Sequence, residues 1–305
     1  MMKYDHLEIA RIIGEPRDPR RPYPLLVERL CDTDTADPEE HVYYFDVLQD
    51  TDKVYYITSS GSVTTESVSP DSPVELSFVD LASPEYYVKF TDLAKAKERV
   101  IGRKKATINR AMNAEENYRV VQLLDAAAIA EGNLNDLRSG ETSYNYQHLI
   151  DQIDQVIDYS EGYELVVGTA IDKDIKLWNW KDNKFHSLSQ AFSDLGITVN
   201  RIKQNVTRDS EATDVLDTNI AYLAGTITEK PGKPLLFVRK RLNTIEQLAG
   251  VISENADMPE RLVFVSPNPV QVASTRYLAV GFTGFEEFAL ATQNSKAVSK
   301  FTRTV

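Results

Sequence analysis

Tyr86–Ala128 reads YYVKFTDLAKAKERVIGRKKATINRAMNAEENYRVVQLLDAAA. It contains no proline and a single glycine, Gly102, so nothing in it forces a helix to stop. Thr91 or Asp92 can cap a helix start, and Gly132 stands where a C-terminal cap belongs. Leu93, Val100, Ile101, Ile108, Ala111, Met112, Val121 and Leu124 recur near one side at helical spacing. Asp92 to Glu131 would make one helix of about 60 Å, at 1.5 Å per residue. Globular helices average about a dozen residues. A kink at Gly102 or a break near Asn113 would give two ordinary helices instead. From Asp92 to Asn113 the stretch holds seven Lys or Arg against two acids, whereas its last part, DAAAIAEG, is small and apolar. Such a segment meets different neighbours along its length.

The sequence on either side is of a different kind. Residues 1–40 do not read as a domain: EPRDPRRPYP packs four prolines between Glu15 and Pro24, and CDTDTADPEE is polar and acidic. Proline removes donors and keeps its neighbours extended, so an extended arm is expected. HVYYFDVLQ and KVYYITSS are aromatic and β-branched, and QDTD between them reads as a turn. After the SPDSP break, VELSFVDL alternates, with Val74, Leu76 and Phe78 on one face and Glu75 and Ser77 on the other. Residues 41–85 therefore read as a long, polar-centred β-hairpin with too few apolar groups for a domain of its own. Downstream, YNYQHLIDQIDQVIDYSEG reads as an amphipathic helix and YELVVGTA as a buried strand. DKDIKLWNW and SLSQAFSDLG read as short helices, and ITVNRIKQN, NIAYLAGTIT, PLLFVRKR and ERLVFVSP as strands. RYLAVGFTGFEEFALATQN reads as a hairpin turning at Gly281 to Gly284. Mixed helices and strands without regular βαβ repetition give an α+β class.

Composition excludes several functions. The 305 residues carry a formal net charge of -12. Residues 1–90 hold 18 acids and 8 bases, and the remaining chain holds 28 acids and 26 bases. Tight, sequence-independent binding to nucleic acid needs many cations on phosphates, which this balance does not supply. Cys31 is alone, so neither an intrachain disulfide nor a thiolate metal cluster can form. His6, His41, His148 and His186 lie far apart, in no ligand-like spacing. No apolar run reaches the roughly 18 residues of a membrane helix, and the N-terminus has no apolar signal core. Phosphate loops, dinucleotide fingerprints, nucleophile elbows and HExxH are missing, so no cofactor is expected. Acidic pairs such as Asp151 with Asp154, or Glu286 with Glu287, can be picked at will and carry no catalytic signal. Trp178 and Trp180 read as buried aromatics in preference to a stacking platform. What remains is a chain whose arm, hairpin and long helix would gain most of their buried surface from other chains. An oligomer is the expectation, with Arg20, Arg21, Tyr23, Lys53, Arg99, Arg103, Lys104, Lys105, Arg239, Lys240 and Arg241 as candidate assembly contacts.

Two segments carry a resemblance. The long helix with its lead-in strand is the first, and RLVFVSPNPVQVASTRYLAVGFTGFEEFALATQNSKAVSKFT is the second, through Gly281, Gly284, Phe285, Glu286, Asn294, Ala297 and Val298. Together they resemble the tailed-bacteriophage major capsid protein family, of Hong Kong 97 fold, over nearly the whole chain. The resemblance implies an N-terminal arm (1–40), an extended loop (41–85), a peripheral domain built on the spine helix (86–141) and an axial domain (142–261). The strands from 262 to 305 would return to the peripheral domain. It further implies pentamers and hexamers closing an icosahedral shell around double-stranded DNA held without sequence-specific contacts, in a virion assembled in the host cytoplasm. Scaffolding, portal and decoration proteins are the implied partners, and no membrane is involved. Some members weld an extended-loop lysine to a neighbour's asparagine. Lys53, the only lysine from Ala10 to Val88, sits near the hairpin base, a departure that argues against self-crosslinking. Two other readings stand beside it: an encapsulin-type compartment shell, and a monomeric carbohydrate-binding or hydrolytic enzyme using the tryptophans and scattered carboxylates.

Overall fold

The computed structural model describes residues 25–45, 74–84, 86–134, 142–178, 188–208, 211–241, 252–253, 262–266, 270–272, 275–277 and 279–304. Its organising element is a single unbroken helix, α2 (Phe90–Glu131), of 42 residues. Neither Gly102 nor Asn113 interrupts it. It ends at Gly132, whose φ of 69° lets the amide of Asn133 reach the Ala128 carbonyl (3.1 Å) and that of Gly132 the Ile129 carbonyl (3.2 Å). Those two bonds close the last turn as a Schellman cap.

Two sheets meet this helix. In the first, β16 (Ala279–Thr292) is central. Phe288 pairs with Arg239 of β11 (Leu235–Lys240) on one side and with Val79 of β4 (Val79–Ala82) on the other. Further along β16, Phe282 pairs with Val265 of β13 (Leu262–Ser266) and with Tyr86 of β5 (Tyr86–Lys89). β1 (Cys31–Ala36) lies parallel to β11, and β12 (Ile252–Ser253) flanks β13. In the second sheet, β6 (Gly162–Val167), β7 (Ile197–Arg201), β10 (Ile220–Thr226) and β17 (Val298–Thr302) take the order β17-β10-β6-β7, and β8 (Asn205–Arg208) with β9 (Glu211–Asp214) and β14 (Val270–Val272) with β15 (Thr275–Tyr277) form separate antiparallel pairs. Three helices accompany it: α3 (Tyr146–Val156), α4 (Thr169–Leu177) and α5 (Leu188–Asp194).

Burial follows strand alternation. Leu235, Phe237 and Phe288 face α2 and the short helix α1 (Leu26–Leu30), in one cluster with Val120, Leu124 and Ala128. Val166, Tyr222 and Ala224 of the second sheet join the same cluster, so α2 seals both sheets. The opposite face of the first sheet, Leu236, Val238 and Ala289, is covered by Tyr43, Phe45, Leu76 and Phe78. These belong to the hairpin of β2 (Val42–Phe45) and β3 (Val74–Ser77) and to the break after it. The opposite face of the second sheet, Leu165, Val167 and Leu223, packs under α3 and α4 through Leu149, Ile153 and Ile171.

Several expectations change. Leu26, Val27, Leu30 and Cys31 are fully buried, so residues 26–36 belong to the core and not to an extended arm. The apolar LLVERLC run outweighs the polar residues that follow it. Residues 1–24 and 46–73 lie outside the described residues. β16 runs straight through Gly281 and Gly284 without a hairpin turn. VELSFVDL splits at Phe78 into β3 and β4. Strand assignment crosses the expected domain limits: β11 joins the sheet of the C-terminal β16, while β17 joins the sheet of residues 162–226. On α2, Ile108, Met112, Val121 and Leu124 are buried as the spacing predicts, but Ala111 is exposed.

Gly284 explains why no side chain stands there. A Cβ would lie 2.3 Å from Ile108 Cγ2 and 2.9 Å from Met112 Sδ. The helix crosses β16 at that point, and a methyl group forces core side chains apart. Gly284→Ala should therefore destabilise the chain by about 2–3 kcal/mol in urea unfolding, as overpacking does. Gly132→Ala, where nothing lies within 4 Å, meets only the left-handed φ and should lose no more than about 1–2 kcal/mol.

Candidate assembly interface

The surface divides into charges already committed inside the chain and apolar groups left outside it. The basic run of β11 belongs to the first kind. Arg239 Nη2 donates to Glu116 Oε1, and its guanidinium lies 4.7 Å from the Phe237 ring. Glu116 is fully buried at mid-helix. Lys240 is buried too, with Nζ 3.0 Å from Glu287 Oε1 and 4.7 Å from the Phe78 ring. Arg241 is exposed, and its amide donates to the Ala36 carbonyl at 3.0 Å. Arg239 and Lys240 thus tie β11 to α2, to β16 and to the hairpin. Arg99, Arg103, Lys104 and Lys105 fall on the first part of α2, outside the described side chains. Arg20, Arg21, Tyr23 and Lys53 lie outside the described residues altogether.

Sequence reading missed the partners of Arg239. The signal was present in NAEENY: Ala114, Glu115, Glu116 and Asn117 are consecutive and all buried. Four successive helical positions cover about 300° of the circumference, so α2 is enclosed on nearly every side there. Asn117 Oδ1 accepts from the Leu26 amide (2.9 Å), and its Nδ2 donates to Gln204 Oε1 (2.8 Å). One buried amide thereby fixes α1 and the segment after β7 to the helix.

Four exposed apolar residues lie in one sequence region. Tyr44 (58 % exposed), Val74, Val79 and Tyr87 all lie within the hairpin, β4 and β5. Register puts Tyr44 opposite Glu75 on the outer face and Val74 opposite Phe45 at the far end of the inner one. Beside them a groove of about 240 Å³ runs between Ser77 and Val79 and the helix residues Arg119, Gln122 and Leu123, floored by Phe288 and Leu290. Tyr43, on the inner face, donates to Asp34, and that bond holds its hydroxyl up at about 12. Elsewhere, Leu177 at the end of α4 is 82 % exposed, and Ile129 and Ile157 are about half exposed.

No group of three or more His, Cys, Asp or Glu converges as metal ligands among the described residues. Trp178 is half-buried, donates from Nε1 to the Tyr144 carbonyl (2.8 Å) and packs against the rings of Tyr144, Tyr146 and Phe192, so it serves the core and not a sugar platform. Trp180 lies outside the described residues. Burial pushes the Cys31 thiol far up, which leaves it an inert core group.

Solved structures match nearly the whole chain at low identity. One from Microbacterium phage Oxtober96 is 10% identical, covers 99% of this chain and 99% of its own, and has a TM-score of 0.61. The capsid structure of the cyanophage P-SCSP1u is 8% identical, covers 96% of this chain and 94% of its own, at a TM-score of 0.55. A virus-like particle from Pyrococcus furiosus is 13% identical, with 97% of both chains covered and a TM-score of 0.50. No protein-family model and no curated protein matches the sequence. The chain has the Hong Kong 97-type capsid fold.

Within that fold, the Arg239–Glu116 pair and the half-buried Glu164 make quantitative tests. Replacing Arg239 by Met removes the cation facing a carboxylate with no solvent access, and should cost about 3–5 kcal/mol in denaturant unfolding. Adding Glu116→Gln to it should recover most of the loss, because the remaining pair is neutral. Glu164 of β6 is raised by burial, against the pull of its hydrogen bond from Asn200 Nδ2 (2.6 Å). A raised carboxyl binds more protons folded than unfolded, so its contribution declines as pH climbs past about 4.3, the unfolded value. Glu164→Gln keeps an acceptor for Asn200. It should raise the melting temperature at pH 7 and leave it unchanged near pH 4.

Proposed function

We propose that this chain is the major shell subunit of a tailed-bacteriophage head, a structural protein without catalytic activity. The observation that carries this reading is the end-to-end match with a phage capsid structure, covering 96% of this chain and 94% of the other. A shared enzyme or binding module would match over part of the length. The exposed apolar residues on the hairpin and adjoining edge support it, since surface of that kind on a soluble chain marks a contact with another molecule.

In this reading, subunits gather as pentamers and hexamers and close an icosahedral shell around double-stranded DNA. Residues 41–85 form the loop that reaches a neighbouring subunit, and residues 1–24 supply the arm, now that 26–36 are placed in the core. The long helix and first sheet make the peripheral part, and the second sheet with α3 to α5 makes the axial part. DNA would be held by confinement, consistent with the acidic balance. Scaffolding, portal and decoration proteins are the partners such a shell calls for. One observation favours a second reading, a compartment shell that encloses protein cargo: the likeness to the virus-like particle of Pyrococcus furiosus.

Negative-stain microscopy of the expressed chain tests both. Closed particles or capsomer rings are expected, and a species that stays monomeric by light scattering at every concentration would end the proposal. Tyr44→Ser combined with Tyr87→Ser should fold normally, since both side chains are exposed, yet lower particle yield at least tenfold. Equal yield would show that this edge is not the contact. Expression with the phage's neighbouring head genes separates the two shells: nuclease-resistant DNA inside favours the virion.

A further inference from the structure

The start of α3 is built on a histidine. The Asn145 side chain accepts from the His148 amide at 3.1 Å, and the Asn145 amide donates back to His148 Nδ1 at 3.0 Å. This is a capping box with His at the third position, where Glu or Gln is usual. Glu and Gln accept that bond at neutral pH and Gln at any pH, but imidazole accepts it only while Nδ1 is deprotonated. The ring is fully buried, 4.7 Å from the Phe301 ring and 6.0 Å from that of Tyr144. Phe301 belongs to β17, so the cap and the C-terminal strand share one core cluster.

Charged and titratable groups on the surrounding elements have commitments of their own. Asp174 of α4 accepts from the Tyr144 amide (2.8 Å) and faces Arg303 (3.3 Å). Asp172 is paired with Lys176 and Arg201, and Lys173 is exposed. Lys300 of β17 meets Asp125 at 2.6 Å, and Tyr222 of β10 donates to the same carboxylate. Lys296 stands over Tyr159. On α3 itself, Asp151 accepts from Gln147 and Asp154 is exposed. The Tyr144 hydroxyl donates to Gln152 at 2.7 Å. The two ring faces beside His148 offer a cation some attraction, but accepting the proton also forfeits the cap bond and places a charge where water does not reach.

We propose that the His148 cap is an acid-sensitive joint, which releases the start of α3 and the packing of Phe301 when the imidazole takes up a proton, while the long helix stays seated. The sign follows from proton counts. As pH falls through about 6.5, the unfolded imidazole gains a proton that the folded cap resists. The unfolded or opened state then binds more protons, and local stability falls with pH.

Hydrogen exchange on the full chain tests this, at pH 7.5 and 5.0, with intrinsic rates normalised. Residues 144–152 should lose protection at least tenfold on acidification, the loss setting in near pH 6.5, while residues 114–124 of α2 stay unchanged. His148→Gln, which keeps the acceptor at any pH, should abolish the response. An equal acid response in His148→Gln overturns the proposal, as does full protection of 144–152 in the wild type at pH 5.0. Should the variant fail to fold, the pH at which wild-type protection begins to fall decides: an onset only near 4 assigns the response to a carboxylate and removes His148 from it.

Discussion

Enclosure of α2 at residues 114–117 is the constraint on which the rest of the structure depends. A helix enclosed on nearly every side must satisfy whatever polar groups it carries there. Glu116 finds Arg239 of the first sheet, and Asn117 finds the Leu26 amide and Gln204. Leucines at these positions would bury as much apolar area, at about 25 cal/mol per Å², and would avoid the desolvation of two charges. Directional bonds do something leucines cannot: they allow one rotation and one axial position of a 42-residue rod. At the crossing with β16 the same register places Ile108 and Met112 over Gly284. A shift of one residue along the helix would lose the polar partners and collide at the crossing together.

The two sheets are coupled beyond the helix by residues 279–302. β16 completes the first sheet, a short 3-10 turn at Ser295–Ala297 follows, and β17 completes the second. That turn rests on the helix end. Asn133 donates from its side chain to the Val298 carbonyl (3.1 Å) and accepts at its own carbonyl from the Lys300 amide (3.0 Å). Asp125 then takes both Lys300 and the Tyr222 hydroxyl, joining α2, β17 and β10 at one carboxylate. The Schellman cap at Gly132 gains a purpose from this, since it turns the chain so that Asn133 reaches β17. Helix, turn and both sheets thus form one mechanical unit, although the sequence reads as separate segments.

How far this was legible in the sequence depended on whether the deciding signal was local. The reach and C-terminal end of α2 were, because absence of proline and a glycine at the right end are local facts, although its continuity past Gly102 and Asn113 stayed open. So were α3, with its period of apolar residues, and β6. Gly284 was noticed for the wrong reason: a glycine-rich GFTGF suggests a turn, and only the helix overhead shows that the strand needs a missing side chain instead. Residues 26–36 were hidden by composition. Pro-rich and acid-rich neighbours on both sides masked five apolar positions whose partners, Leu235 and Phe237, lie 200 residues away. The intrachain partners of the basic run on β11 were hidden likewise. A cluster of charges looks solvated until its partner is known, and Glu116 and Glu287 are distant in sequence. Strand exchange between the sheets was not readable at all, since pairing order leaves no mark on a strand's own pattern.

The hairpin is where the fold and the proposed shell meet. A two-stranded ribbon is marginal by itself and needs something to pack on. Its inner face has that: Tyr43, Phe45 and Leu76 sit on Leu236, Val238 and Ala289. Its outer face carries Tyr44, and the strands next to it carry Val79 and Tyr87, all at the edge where β4 and β5 flank β16. Apolar side chains on both faces of a ribbon cannot both be served by one sheet. The body accounts for the inner set, and the outer set is a cost to the isolated chain that a neighbouring molecule would remove. The anchoring is also firm where it matters. Phe78, at the root, lies 4.7 Å from the Lys240 ammonium, which is itself held by Glu287. A loop that reaches to another subunit can transmit force to its own only through such a root. The buried Lys240 of β11 thus holds the base of the hairpin on its own sheet.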